Sequence, residues 1–256
     1  MHAGRRLDAA CPECNSRLTA TSSTLTRVLP RLVSAYLQRA LPADGHAPRQ
    51  VRIHQHGQIW LKPNARPRSF TATQHYAVER MAFSWHARFR LAPLIALQVR
   101  DDYDEGEGSL TVSLLGKVMQ RQRGPEVSAG EAMRYLAELP WVPHAMAHNS
   151  ELRWRELDGG RVEVVAAGLD ATAITLEFDS AGDVIRVSSP ARMMRDGDVW
   201  TATPWGGEFA DYRTFGSMRV PGRAEVYWQL PGGRFVYWRG EVTAASALEA
   251  PFGRPA

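Results

Sequence analysis

Lysine is almost missing from this chain of 256 residues: only Lys62 and Lys117 occur, so nearly all the positive charge is arginine. Cysteine is as scarce, limited to Cys11 and Cys14. No apolar run reaches the roughly 18 residues of a membrane-spanning helix. Residues 1 to 23 contain no apolar stretch of the kind that drives secretion. These two absences lead us to expect a soluble, cytoplasmic protein with no transmembrane segment. The net charge is +4 and the pI is near 9.3, yet no run of about five basic residues occurs. Arginine spread along strands reads as a solvated face, and no nucleic-acid partner is expected. The mechanistic signatures G-x-S-x-G, H-E-x-x-H, the P-loop and G-x-G-x-x-G are all absent. No cofactor and no catalytic residue is therefore assigned. The acidic stretch "DDYDEGEG" lacks the alternating ligands and distal Glu of a calcium loop and reads as a hairpin turn.

Hydrophobic residues make up 44% of the chain and charged residues 23%, which permits a sizeable core. The first segment with a clear period is "TRVLPRLVSAYLQRALP". Leu29, Leu32, Val33, Tyr36, Leu37 and Ala40 form one apolar stripe there, and Pro30 suits the first turn of a helix. The period then changes to two. In "FSWHARFRL", Phe83, Trp85, Ala87, Phe89 and Leu91 point one way, and Ser84, His86, Arg88 and Arg90 point the other. Strand-like runs continue to "GSLTVSLLGKVMQRQ" and resume after residue 150, with turn signals at "DGG", "DSAGD", "RDGD" and "PGG".

Between the two sets of strands lies "EAMRYLAELPWVPHAM". A helix is expected at 129 to 139, with Met133, Leu136 and Leu139 on its apolar stripe and a stop at Pro140. Ser128 and Glu131 have the spacing of a capping box. No βαβ rhythm appears. The pattern is α+β: a single domain over 24 to 247, flanked by tails at 1 to 23 and 248 to 256. We expect one strongly curved, mostly antiparallel sheet of roughly ten strands, a half-barrel, with the N-terminal helix and the central helix packed on its concave face.

The phrases "RYLAELPWVPHAM", "FSWHARF", "VRDDYDEGEGSL", "YRTFGSMRVPGRAEVYW" and "GGRFVYWRGEV" resemble a bacterial family of uncharacterised proteins, a domain of unknown function, over about residues 28 to 243. The family is similar in architecture to the half-barrel lipoprotein carriers of Gram-negative envelopes. That resemblance implies a curved sheet and helices enclosing an apolar cavity, and it brings no catalytic residues.

Residues for such a cavity can be named. Arg134 and Glu138 are four apart on one helix, the spacing of an ion pair, which sits either on the surface or at a cavity mouth where Arg134 holds an anionic head group. Trp141 is held in one direction by Pro140 and Pro143. With Trp85, Tyr103, Tyr212, Trp228 and Trp238, these form the candidate ligand-binding set. Aromatics on a sheet face serve equally as core or as pocket wall. The partner expected is an apolar small molecule or lipid, held by a non-enzymatic binding protein. Two alternatives stand: an enzyme using Arg134, Glu138 and Asp101 in the same cavity, and a structural or partner-binding protein with a filled core. Cys11 and Cys14 make half a zinc knuckle, which needs two further ligands. His54, His56, His75 and His86 lie on three consecutive strands and read as a half-solvated face.

Overall fold

Side chains that alternate between apolar and polar can bury one face of a strand and wet the other. That alternation runs through most of the chain, and each such run is a strand. The computed structural model describes residues 28–43, 45–93 and 95–253; Cys11 and Cys14 lie outside them. Helix α1 (Arg31–Ala40) leads into β1 (Gln50–Ile59), β2 (Arg68–Ala77), β3 (Phe83–Ala92), β4 (Ile95–Asp104), β5 (Glu107–Leu114) and β6 (Lys117–Arg123). Helix α2 (Pro125–Ala137), a single 3-10 turn (Leu139–Trp141) and α3 (Pro143–His148) follow. The chain then forms β7 (Leu152–Leu157), β8 (Arg161–Ala166), β9 (Ile174–Phe178), β10 (Val184–Asp196), β11 (Val199–Phe215), β12 (Met218–Leu230) and β13 (Gly233–Leu248).

The strands form one antiparallel sheet in the order β6-β5-β4-β3-β2-β1-β13-β12-β11-β10-β9-β8-β7. It is two meanders joined where β1 pairs with β13, Val51 lying opposite Ala247 and Ile59 opposite Trp238. The sheet curls into a half-barrel with three α-helices among the described residues. Thirteen strands replace the roughly ten expected. One extra strand arises inside "GSLTVSLLGKVMQRQ", which turns back at Leu115 and Gly116, both at positive φ (49° and 78°). Leucine is not a turn residue, and glycine alone at the second position carries little signal. The "PGG" turn does join two strands, β12 and β13, and β12 runs for 13 residues even though Pro221 sits inside it.

Helix α2 starts earlier than its apolar stripe suggests. Pro125 fills the first turn, where its missing N–H costs nothing, and Glu126 lies at the positive end of the dipole. The capping box is not formed. Ser128 lies inside the first turn, and its Oγ accepts a hydrogen bond from the Gly108 N–H at 2.9 Å. A Cβ on Gly108 would come within 2.8 Å of the Ser128 Cα, so glycine is what allows helix and strand to touch here. The helix packs against β4 and β5 on one side and β10 on the other. The Tyr135 hydroxyl donates to the carbonyls of Ala77 and Arg80, both at 3.2 Å, and accepts from Asn149 Nδ2 at 3.0 Å. Helix α1 packs against α3 and β12, and the Tyr36 hydroxyl donates to the Pro140 carbonyl at 2.9 Å.

The core follows the stripes. Val33, Tyr36, Leu37 and Ala40 of α1 are buried, as are Met133, Leu136 and Leu139. Leu136 has 0% exposure. Leu136→Asp places an unpaired carboxylate there and is expected to cost several kcal/mol. Chemical denaturation checks this, and a variant with wild-type stability would mean that the α2 stripe is not core.

Candidate functional site

The apolar face of β3, β4 and β5 and the facing side of β11, β12 and β13 do not meet. Between them, with α2 and Trp141 closing one end, lies a cavity of about 450 Å³. Its walls include Phe89, Leu97, Val99, Leu110, Val112 and Phe209. Leu61 and Arg68, both exposed, lie along its lining at the far ends of the strands from α2.

The α2 end is charged. Arg134 Nε donates to Glu138 Oε1 at 2.8 Å, and its Nη1 donates to Asp101 Oδ2 at 2.7 Å. Glu131 Oε2 lies 3.9 Å from the same Nη1. The guanidinium is stacked near Phe83 and Trp85, 5.0 and 5.1 Å from their ring centres. The pairing of Arg134 with Glu138 thus exists as the four-residue spacing implies, but it is buried and shared. Glu138 Oε2 also accepts from Gln74 Nε2 at 2.7 Å and the Tyr76 hydroxyl at 2.9 Å. This explains why Gln74 occupies an inward position on β2. Opposite, Arg192 Nη2 donates to the Gly130 carbonyl at 3.0 Å, and its guanidinium lies 4.4 Å from the Trp205 ring.

Three carboxyl groups around one guanidinium cannot all ionise cheaply. Burial pushes the Glu131 carboxyl up to about 8, and nearby Asp101 adds to the rise against the opposing pull of Arg134 and Arg192. Asp101 is also raised, first by burial. Burial alone would lower Arg134, but Glu138, Asp101 and Glu131 raise it instead. Asp101 Oδ1 and Glu131 Oε2 are buried and make no hydrogen bond. Both residues border the cavity.

Of the residues named from sequence, Trp85, Arg134, Glu138, Trp141 and Trp238 border the cavity together. Trp141 serves as wall and core at once. It is 3% exposed, its Nε1 donates to the Pro221 carbonyl at 3.0 Å, and its ring meets Phe209 edge-on at 5.3 Å. The other three named residues lie elsewhere. Tyr103 is buried opposite Gly108 on β5. The Tyr212 hydroxyl donates to the Val184 carbonyl at 2.9 Å, against Tyr36. Trp228 stacks on Tyr237 at 6.0 Å. Arg192 and Glu131 were not in the sequence-derived set. Glu131 passes for a helix cap, and Arg192 follows an irregularity in β10 between Ser189 and Arg192, for which Pro190 is the only cue. Among the described residues, no group of three or more His, Cys, Asp or Glu is arranged to hold a metal ion. No helix among them is long and apolar enough to cross a membrane.

An open, curled antiparallel sheet with a helix laid against strands of both halves defines a half-barrel α+β protein. The chain belongs to the Family of unknown function (DUF6544), whose model matches residues 19–240. The family resemblance seen in the quoted phrases is borne out. The chain is similar to a LolA superfamily protein from Nitrosomonas europaea, with 11% identity and a TM-score of 0.44, over 86% of this chain and 93% of that one. It is also similar to a DUF1329 family protein from Desulfovibrio piger, with 8% identity and a TM-score of 0.45, over 84% and 91% of the two chains. Comparison with curated proteins gives no match.

The raised Glu131 carboxyl has a consequence for stability. From about pH 4.5 to pH 8 the folded protein keeps a proton that the unfolded chain releases, since the ordinary value is 4.5 and the folded value about 8. The contribution of Glu131 is therefore full below that window, falls as pH rises through it, and levels off above it. Glu131→Gln keeps the shape and removes the titration. Melting temperatures from pH 5 to 9 should show the variant gaining on the wild type as pH rises, and parallel curves would place the Glu131 carboxyl at its ordinary value.

Proposed function

We propose that this protein is a non-enzymatic carrier or sensor that holds an amphipathic, lipid-like small molecule in the cavity beside α2. The observation that carries the reading is the cavity's composition. Aliphatic and aromatic walls enclose a volume within the roughly 300 to 1,000 Å³ of small-molecule sites, and a few polar groups converge at one end. An apolar chain along Leu97, Val99 and Val112 loses its hydration there, and burial is worth about 0.8 kcal/mol per methylene.

The polar end suits a hydrogen-bond donor better than an anion. An anionic head group on Arg134 would face three carboxyl groups already gathered there. A hydroxyl or amine can instead donate to the free Asp101 Oδ1. This departs from the anionic head group that the helix spacing alone suggests.

The raised Glu131 carboxyl beside Arg134 favours a second reading, in which Glu131 acts as a general acid in the same cavity. Against it, Asp101 and Glu138, the carboxyl groups beside Glu131 that could serve as its base, are both held by Arg134. Asp101 and Glu131 then serve to orient a ligand.

Filling the cavity tests the binding reading. Val112 lies on the wall and is only partly buried. Val112→Trp should abolish uptake of a fluorescent apolar probe such as 1-N-phenylnaphthylamine while changing the melting temperature little, because the added ring enters empty space. Equal probe uptake by variant and wild type would show that the probe does not use this cavity.

A further inference from the structure

The opposite face of the same sheet carries the other half of each strand's alternation. His54, Thr73, His86, Arg100, Thr111 and Arg121 are successive register partners across β1 to β6. One row along, His56, Thr71, Arg88, Gln98 and Ser113 do the same across β1 to β5. On the other side, Ser84, Asp102, Ser109 and Arg123 form a third row. These rows, apart from the buried Ser84, line a groove of about 1000 Å³.

The groove's charge is one-sided. Four arginines line it, with Asp102 as the single acid. Asp102 is taken up by Arg100 at 2.9 Å and by the Ser84 hydroxyl at 2.5 Å. Arg88, Arg121 and Arg123 make no ion pair with any described residue. On β10 to β13, by contrast, several arginines are neutralised: Arg186 and Arg234 share Glu208, Arg234 and Arg239 share Glu225, and Arg213 pairs with Glu241. The arginines that looked like a scattered solvated face thus include three, Arg88, Arg121 and Arg123, that strand register gathers in one groove.

We propose that this groove is a second binding site, separate from the apolar cavity, for a soluble ligand carrying several phosphate groups. Guanidinium groups bind phosphate oxygens through paired N–H donors. The serine and threonine hydroxyls between them add neutral donors. The spacing calls for more than one phosphate. Arg88 and Arg100 are diagonal neighbours on adjacent strands, roughly 7 to 8 Å apart at the backbone. Arg100 and Arg121 are two strands apart, about 10 Å. No Phe, Tyr or Trp is among the described residues that line the groove, so it lacks the broad stacking platform that single-stranded nucleic acid requires. Its partly buried members, His54, His86 and Arg100, lie where a flat bilayer surface does not reach.

The test is calorimetric titration of the full chain with sodium tripolyphosphate at low and moderate salt. Wild type should bind, more weakly as salt rises. The triple variant Arg88→Ala, Arg121→Ala, Arg123→Ala should lose about tenfold or more in affinity. These three side chains are exposed, so the variant should melt as wild type does and still take up the apolar probe. The pair Arg234→Ala, Arg239→Ala should bind as wild type. No binding by wild type, or undiminished binding by the triple variant, overturns the proposal. So does capture of single-stranded DNA or phosphatidylglycerol vesicles that tripolyphosphate fails to displace. Vesicle capture that tripolyphosphate does displace would support it, with a lipid head group as the source of the phosphate.

Discussion

One cation surrounded by three acids organises the interior of this protein. Arg134 projects from α2 and is held by Asp101 on β4, by Glu138 at the end of its own helix and, at longer range, by Glu131. A buried ion pair adds little net stability, because its desolvation offsets its attraction. Removing one partner is different, since it leaves a buried charge uncompensated at a cost of about 3 to 5 kcal/mol. The cluster therefore sets position more than stability. It fixes where α2 lies along β4, and Gln74 and Tyr76 extend the fixing to β2 through Glu138.

That position is why space remains beside the helix. Polar side chains occupy the seam between α2 and the sheet, so the helix cannot slide deeper into the apolar walls without stripping Arg134 of its partners. On the other side, the Arg192 contacts to Gly130 and Trp205 brace the helix against β10 and β11. The result is a cavity with apolar walls and a charged end, on one face of a sheet whose other face carries a basic groove. Both faces come from the same period-two alternation. In β3, Trp85 and Phe89 line the cavity, while His86 and Arg88 line the groove.

Much of this is written in local pattern. Strand alternation and the α1 stripe depend on neighbours within a few residues, and they read correctly from the chain; α2 ends at Ala137, and Pro140 falls within the 3-10 turn that follows rather than stopping the helix. The family phrases cluster on residues that build the site, among them Asp101, Arg134, Glu138 and Trp141. What escaped notice depends on register and on partners distant in sequence. Glu131 has the spacing of a helix cap, and only the approach of β4 makes it a buried acid. Gln74 in an apolar row signals a polar partner without naming Glu138. Trp228 and Tyr212 have the residue types of a pocket wall but do not border the cavity, because type does not say which ring faces the void. The groove arginines are scattered through the sequence, and six aligned strands are needed to bring them together.

The central claim is that the cavity beside α2 is built to be occupied. Native mass spectrometry of the full chain, purified without detergent, measures this directly. A small-molecule adduct that leaves on collisional activation, and whose extracted mass and solubility mark it as amphipathic, is the predicted result. A bare chain mass, together with no shift on incubation with long-chain alcohols or amines, would contradict it and leave the cavity as a gap in packing.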